Sequence, residues 1–142
     1  MTAFLNQLQH DEIIAAIRAA ESKTSGEIRV FISRKHVEDP VVAAQKQFER
    51  LGMTKTHHHN GVLIFVAPRA RKFAVIGDTA VHQRCGDGFW QALAGEMAGH
   101  FKQSNFSAGI IHAIQKAGDL LAAHFPPLPG DGNELPDEIE GD

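Results

Sequence analysis

Five side chains in this sequence carry the donor types from which cation sites are built: Glu27, Asn60, Asp78, His82 and Asp87. Two or three carboxylates together with an amide oxygen suit a hard divalent ion such as Ca²⁺ or Mg²⁺, which takes oxygen ligands. Carboxylates held close together repel, and a cation placed among them removes that repulsion. An imidazole at position 82 is a poor calcium ligand and a better transition-metal ligand. A metal so held can also act as a Lewis acid, activating water and neutralising the charge of a phosphate.

Each of these residues also has an ordinary structural role open to it. Asp87 precedes Gly88-Phe89-Trp90 and can cap a helix. Asp78 can form an Asx turn, and Asn60-Gly61 can be a turn and nothing more. Glu27 can be a solvated acid or pair with Arg29 or Lys23. The two kinds of role coexist readily, because a capping Asp can still lend its second oxygen to a metal.

Other chemistry finds little support. Adjacent side chains diverge, so His57-His58-His59 reads as a solvated loop rather than a three-imidazole chelate. His100, His112 and His124 read as surface or core-edge residues. Cys85 is the single cysteine. It is followed by Gly-Asp-Gly-Phe-Trp-Gln91, without the Arg that closes a cysteine-phosphatase loop, and reads as a structural thiol. No phosphate-cradling Gly-rich loop with Lys-Ser/Thr is present, nor an Asp-x-Asp nucleophile motif.

The elements that position the five residues follow from periodicity. Gln9–Glu21 has apolar residues at helical spacing and abundant Ala, and Ser25-Gly26 ends it. Glu27–Ser33 alternates as a strand, with Ile28, Val30 and Ile32 on one face. Asp39-Pro40 starts a helix by capping and by the preset φ of proline; Val41, Ala44, Phe48 and Leu51 form its apolar stripe and Gly52 its stop. Val62–Ala67 and Phe73–Ile76 are continuously apolar, as in strands buried on both faces, and the short polar link Pro68–Lys72 makes them an antiparallel hairpin. A third helical stripe runs from Phe89 or Trp90 to Phe101, and a fourth helix from about Ser107 to Phe125, ended by Pro126-Pro127.

The order α-β-α-β-β-α-α predicts a three-layer α/β/α sandwich around a small mixed sheet: a right-handed crossover makes strands one and two parallel, and the hairpin adds strand three antiparallel. In that topology Glu27 and Asn60 start at one edge and Gly77-Asp78 returns to it, with His82 and Asp87 in the connection that leaves. One edge therefore collects all five residues.

The chain has 142 residues, which suits one domain over 1–125. From Pro126 onward there are six acids and no Lys or Arg. Residues 126–142 accordingly read as a disordered acidic tail. The remaining 11 acids face 14 Lys and Arg in the body, too slight an excess for a nucleic-acid partner. Met1–Gln9 lacks the basic start and apolar run of a signal peptide, and no stretch approaches the ~20 apolar residues of a membrane helix. A cytoplasmic protein without membrane insertion is expected.

Several segments carry a resemblance: Thr24-Ser-Gly-Glu-Ile-Arg-Val30, Asn60-Gly-Val-Leu-Ile64, Arg71-Lys-Phe-Ala-Val-Ile-Gly-Asp78, then Phe89-Trp90, His100-Phe-Lys102, Asn105-Phe106 and Gly109-Ile-Ile111. In this order and spacing they resemble the TPM domain family, most of all its short bacterial members without membrane anchors, over about Gln9 to Pro126. The resemblance implies an α/β/α sandwich. It also implies a choice of activities, since a plant lumenal relative is described as an acid phosphatase connected with photosystem repair and some relatives bind calcium. Family members often have acidic or amide residues at the positions of Glu27, Asn60 and Asp87, Asp78 matches the short bacterial members, and the position of His82 usually holds Asn or Glu. Many relatives are exported or membrane-attached, a pattern from which this chain departs.

Three functional expectations result: a divalent-metal-binding domain, calcium or magnesium, with a regulatory or stress-related role; a metal-dependent phosphomonoester hydrolase with Arg29, Arg84 or Lys23 as phosphate partners; and a protein-interaction module that uses the acidic tail.

Overall fold

The order of elements along the chain produces a four-stranded sheet covered on both faces. The structure, a computed structural model, describes residues 6–56, 59–127 and 139–141, without the side chains of Leu8 and of residues 85–87. The elements are α1 (Gln7–Glu21), β1 (Glu27–Ile32), α2 (Pro40–Arg50), a 3₁₀ turn (Met53–Lys55), β2 (Gly61–Ala67), a second 3₁₀ turn (Pro68–Ala70), β3 (Lys72–Gly77), α3 (Thr79–Lys102), α4 (Phe106–His124) and β4 (Ile139–Gly141). The strand order is β3-β2-β1-β4. β1 is parallel to β2 and to β4, and β2 is antiparallel to β3. The mixed α/β/α sandwich expected from the periodicity is therefore the architecture observed.

Local signals account for most of the boundaries. Asn6 caps α1, accepting from the Gln9 amide while the Gln9 side chain accepts from the Asn6 amide, a reciprocal capping box. Asp39 caps α2 through the amides of Val41 and Val42, with Pro40 in the first turn. Beyond the helix Gly52 turns left-handed at φ 75.

All seven residues of β2 are buried. Its alternate side chains enter two separate cores. Ile28, Val30, Val62, Ile64 and Val66 pack under α1, α3 and α4, with Ile13, Ile17, Leu93, Met97, Ile110 and Ile114. Phe31, Leu63, Phe65 and Ala74 pack under α2, with Ala44, Phe48 and Met53. Phe31 and Phe65 are register partners on β1 and β2, and their rings stack at a centroid distance of 5.6 Å.

Two features depart from the sequence reading. The third long helix begins ten residues before Phe89: Asp78 caps it directly at the end of β3, so His82 and Asp87 lie within α3 rather than in a connection. Helical continuity through Gly86 and Gly88 is sustained by the packing of Val81 and Leu93 into the core, which overrides the weak helix propensity of glycine. The second departure concerns the tail. Residues 128–138 lie outside the described set, but Ile139–Gly141, expected to be structureless, forms β4 against Val30–Ile32. Arg29, 3% exposed on β1, is paired there with Glu140. A guanidinium removed from water needs a counter-charge, and the tail supplies it.

Close helix contact depends on small residues. A Cβ at Gly118 would stand 2.7 Å from the Ala20 Cβ, so α1 and α4 approach only because that position is bare. Gly118→Val is expected to destabilise the fold by about 1–3 kcal/mol through overpacking, measured by urea denaturation; an unchanged midpoint would contradict the packing. Glu140→Ala should cost roughly 1–3 kcal/mol by leaving the Arg29 guanidinium buried without its partner, and adding Arg29→Met should recover most of that loss. Non-recovery in the double variant would show that the ion pair is not what holds β4.

Candidate functional site

The ladder register brings three of the five predicted residues side by side. Glu27 is the partner of Gly61 across the parallel pair, and Val62 is the partner of Gly77 across the hairpin. The ladder extends one residue past β3, since the Asp78 amide donates to the Gly61 carbonyl at 2.9 Å. Glu27 and Asp78 thus flank Gly61, with Asn60 next to it at the start of β2. Adjacent strands lie ~4.8 Å apart, which puts the two acidic residues' backbones about 10 Å apart. Cross-strand partners project to the same face; Gly61 has no side chain of its own there, and the space above it is taken by Met53 and Phe48, whose Cε and Cζ would lie 3.4 and 3.7 Å from a Cβ at that position.

All three residues are withdrawn from solvent: Glu27 is 3% exposed, Asn60 1% and Asp78 8%. Buried acids are uncommon unless paired or hydrogen-bonded. Asp78 is half satisfied. Its Oδ1 accepts from the Thr79 amide at 2.7 Å, which caps α3 and sets the carboxylate on the positive end of the helix dipole. Among the described residues its buried Oδ2 makes no hydrogen bond; the Nδ1 of the exposed His59 lies 3.5 Å away. The Asn60 amide nitrogen donates to Ser25 Oγ at 3.3 Å, leaving the carbonyl oxygen as the acceptor end of that side chain.

Of the other two predicted residues, His82 lines the same cavity as Asp78 and Asp87 is carried away along α3. His82 stands one turn beyond Asp78 and is exposed, with its amide bonded to the Asp78 carbonyl. Asp87 is nine residues from Asp78 on the same helix, a rise of roughly 13 Å, and its side chain lies outside the described residues. The helix-cap role open to Asp87 belongs instead to Asp78, and the Asx turn considered for Asp78 is that cap. Among the described residues no three His, Cys, Asp or Glu side chains already surround a common point.

Two further residues neighbour this edge. His59, in an exposed loop as expected, adopts a left-handed backbone, φ 49, and its carbonyl accepts from the Ala80 amide, which folds the loop over the start of α3 and onto Asp78. His57 and His58 lie outside the described residues. Trp90 reaches back along α3 to β3: a Cβ at Gly77 would stand 2.9 Å from its ring. It closes a cavity of about 750 Å³ between α2, β3 and α3, lined also by Phe48, Glu49, Val75, Asp78 and His82. The indole Nε1 is buried and has no hydrogen-bond partner among the described residues. Of the cations considered as phosphate partners, Arg29 is committed to Glu140, whereas the Arg84 guanidinium lies 5.4 Å from the centroid of the Phe125 ring. The Phe125 carbonyl accepts from the Ser25 amide, so Arg84 stands near the Ser25–Asn60 end of the sheet. His100 and His112 meet on the outer side of α3 and α4, where His112 bonds Glu96 at 2.7 Å and holds that carboxyl below its ordinary pKa.

Residues 1–120 match the sequence profile of the TPM domain, named TPM phosphatase. The chain belongs to the TPM domain family. Among solved structures it is similar to the BA42 protein of the psychrophilic bacterium Bizionia argentinensis, at 37% identity and a TM-score of 0.91 over 100% of this chain and 98% of that one. The N-terminal domain of a Corynebacterium glutamicum protein shares the fold at 17% identity, TM-score 0.64, over 82% of this chain and 74% of that one. So does an N-terminal domain from P. gingivalis, at 16% identity and TM-score 0.65, over 87% and 80%. No curated protein matches the chain. Among the described residues no helix is long and apolar enough to cross a membrane.

The capping role of Asp78 in this TPM domain can be separated from any role of its charge. Asp78→Ala should lose about 1 kcal/mol of stability by leaving the first turn of α3 uncapped, whereas Asp78→Asn should lose far less because Asn caps as well as Asp. Equal losses from the two substitutions, read from thermal or urea unfolding, would refute the cap as the structural role.

Proposed function

We propose that this TPM domain binds a divalent cation, Ca²⁺ or Mg²⁺, at the sheet edge, with carboxylate oxygens from Glu27 and Asp78 and the amide oxygen of Asn60. The observation that carries this reading is the Asp78 Oδ2, buried and without a hydrogen bond, in register with a second buried acid across Gly61. A buried carboxylate oxygen with no donor is costly. A hard cation would remove that cost and draw the two acids together. The three residues come from three different strand ends, so an ion there would cross-link the parts of the chain that build the edge, which fits a regulatory or stress-related role. His82 and His59 border the site, and their imidazoles would matter chiefly for a softer ion.

A second reading, metal-dependent hydrolysis of phosphomonoesters, is favoured by the family's name and by Arg84, a cation near this end of the sheet. In that reading the ion would polarise the phosphate and activate water, and Arg84 would hold the phosphate oxygens. The third expectation, partner binding by the acidic tail, applies to less of the tail than its charge implies, because Ile139–Gly141 is engaged with the chain's own sheet.

Titration of chelator-stripped protein with Ca²⁺, Mg²⁺ and Zn²⁺ in turn, followed by backbone NMR, tests the primary reading. Saturable shifts are expected at Glu27, Asn60–Gly61 and Asp78, with Glu27→Gln and Asp78→Asn each weakening binding by about tenfold or more and Asp87→Asn leaving it unchanged. At an ion concentration of about 100 times Kd the folded state should gain roughly 2.7 kcal/mol. Silence at these residues for all three ions, with the fold intact, would reduce them to cap and turn positions.

A further inference from the structure

The opposite end of the strands carries a second cavity of different chemistry. It lies under the β2–β3 turn, between β3 and the α3–α4 junction, and has a volume of about 560 Å³, within the usual range for small-molecule sites. Phe73, Phe101 and Phe106 form its wall: Phe73 meets Phe101 edge-on at 5.1 Å, and Phe106 lies tilted against Phe101 at 5.5 Å. The exposed Arg71 and Lys102 also line it, and among the described residues no acidic side chain does. Lys72 is nearby but committed, donating to the Glu38 carbonyl. Among the described residues neither Arg71 nor Lys102 makes a side-chain hydrogen bond or ion pair. Arg71 also holds a left-handed backbone, φ 54, a conformation uncommon for a long side chain.

Three aromatic rings beside two uncommitted cations form a surface that selects on two properties at once. The ring edges and faces accept a flat apolar body by stacked or edge-on contact. The guanidinium and the ammonium attract an anionic group, and the guanidinium presents a planar fork of donors suited to a carboxylate or phosphate. We propose that this cavity binds a small aromatic anion: one or two fused rings carrying a single carboxylate, sulfonate or phosphate. The ring lies against Phe73, Phe101 and Phe106, and the anionic group lies between Arg71 and Lys102. β3 spans about 20 Å between the two ends of the sheet, so this cavity and the acidic edge act as separate sites.

The test is an NMR titration of the full chain with 1-naphthoate, using neutral 1-naphthamide as the control for charge. Naphthoate should give saturable shifts confined to residues 66–73 and 98–106, with a Kd of about 1 mM or tighter, the scale for a ligand of this size. Naphthamide should bind about tenfold more weakly. Arg71→Gln and Lys102→Gln change exposed side chains and should leave the rest of the spectrum intact, while each weakens naphthoate by roughly 3- to 10-fold and leaves naphthamide unaffected. Absence of saturable shifts, equal binding of naphthoate and naphthamide, or wild-type affinity in both variants would overturn the proposal. Because Glu27→Gln and Asp78→Asn should leave naphthoate binding unchanged, failure here is independent of the cation site.

Discussion

A strand buried from end to end has no free choice of neighbours, and β2 is such a strand. Its backbone groups must be paired on both sides, which β1 and β3 do, and both its faces must be covered, which requires α2 on one side and the α1, α3 and α4 layer on the other. Once β2 is placed, the start of β1, the start of β2 and the end of β3 fall in one row by register alone. The candidate cation site is a consequence of that row. Glu27 and Asp78 flank a glycine, with Asn60 at its side, because the ladder leaves them nowhere else to be.

The sheet also separates charge along its length. Buried acids gather at the edge where β1 and β2 begin, while Arg71, Lys72 and Lys102 gather where β2 ends and β3 begins. A strand of six residues keeps the two groups about 20 Å apart, beyond the Debye length of about 8 Å at physiological salt. The field of each end is therefore screened from the other. The same separation bears on phosphate chemistry at the acidic edge. Arg84 approaches that end from α3, while the cluster on the hairpin belongs to the other end.

Asp78 joins the two halves of the fold. It ends β3, caps α3, and turns the chain so sharply that Trp90, three helical turns later, packs back on Gly77. The same carboxylate keeps one oxygen out of that structural work.

Much of this was legible in the residue order. The capping Asp39-Pro40, the alternation of Glu27–Ser33 and the apolar runs of the hairpin are local signals whose physics is complete within a few residues, so the seven main elements and the gathering of Glu27, Asn60 and Asp78 at one edge could be read directly. The start of α3 could not, because Gly86 and Gly88 lower helix propensity locally and only the packing of Val81 and Leu93 restores it. That hidden continuity is what moved Asp87 away from the edge. Nor could β4 or the contact of His59 with Asp78 be read: each depends on partners distant in sequence or on a strained turn. By itself the sequence determined which residues are donors and which strand ends they occupy, since both follow from residue type and short-range periodicity. Only the tertiary structure decided which of these side chains lie side by side, because that depends on where a helix begins, on which buried charge finds its counter-charge, and on contacts between segments that periodicity does not connect.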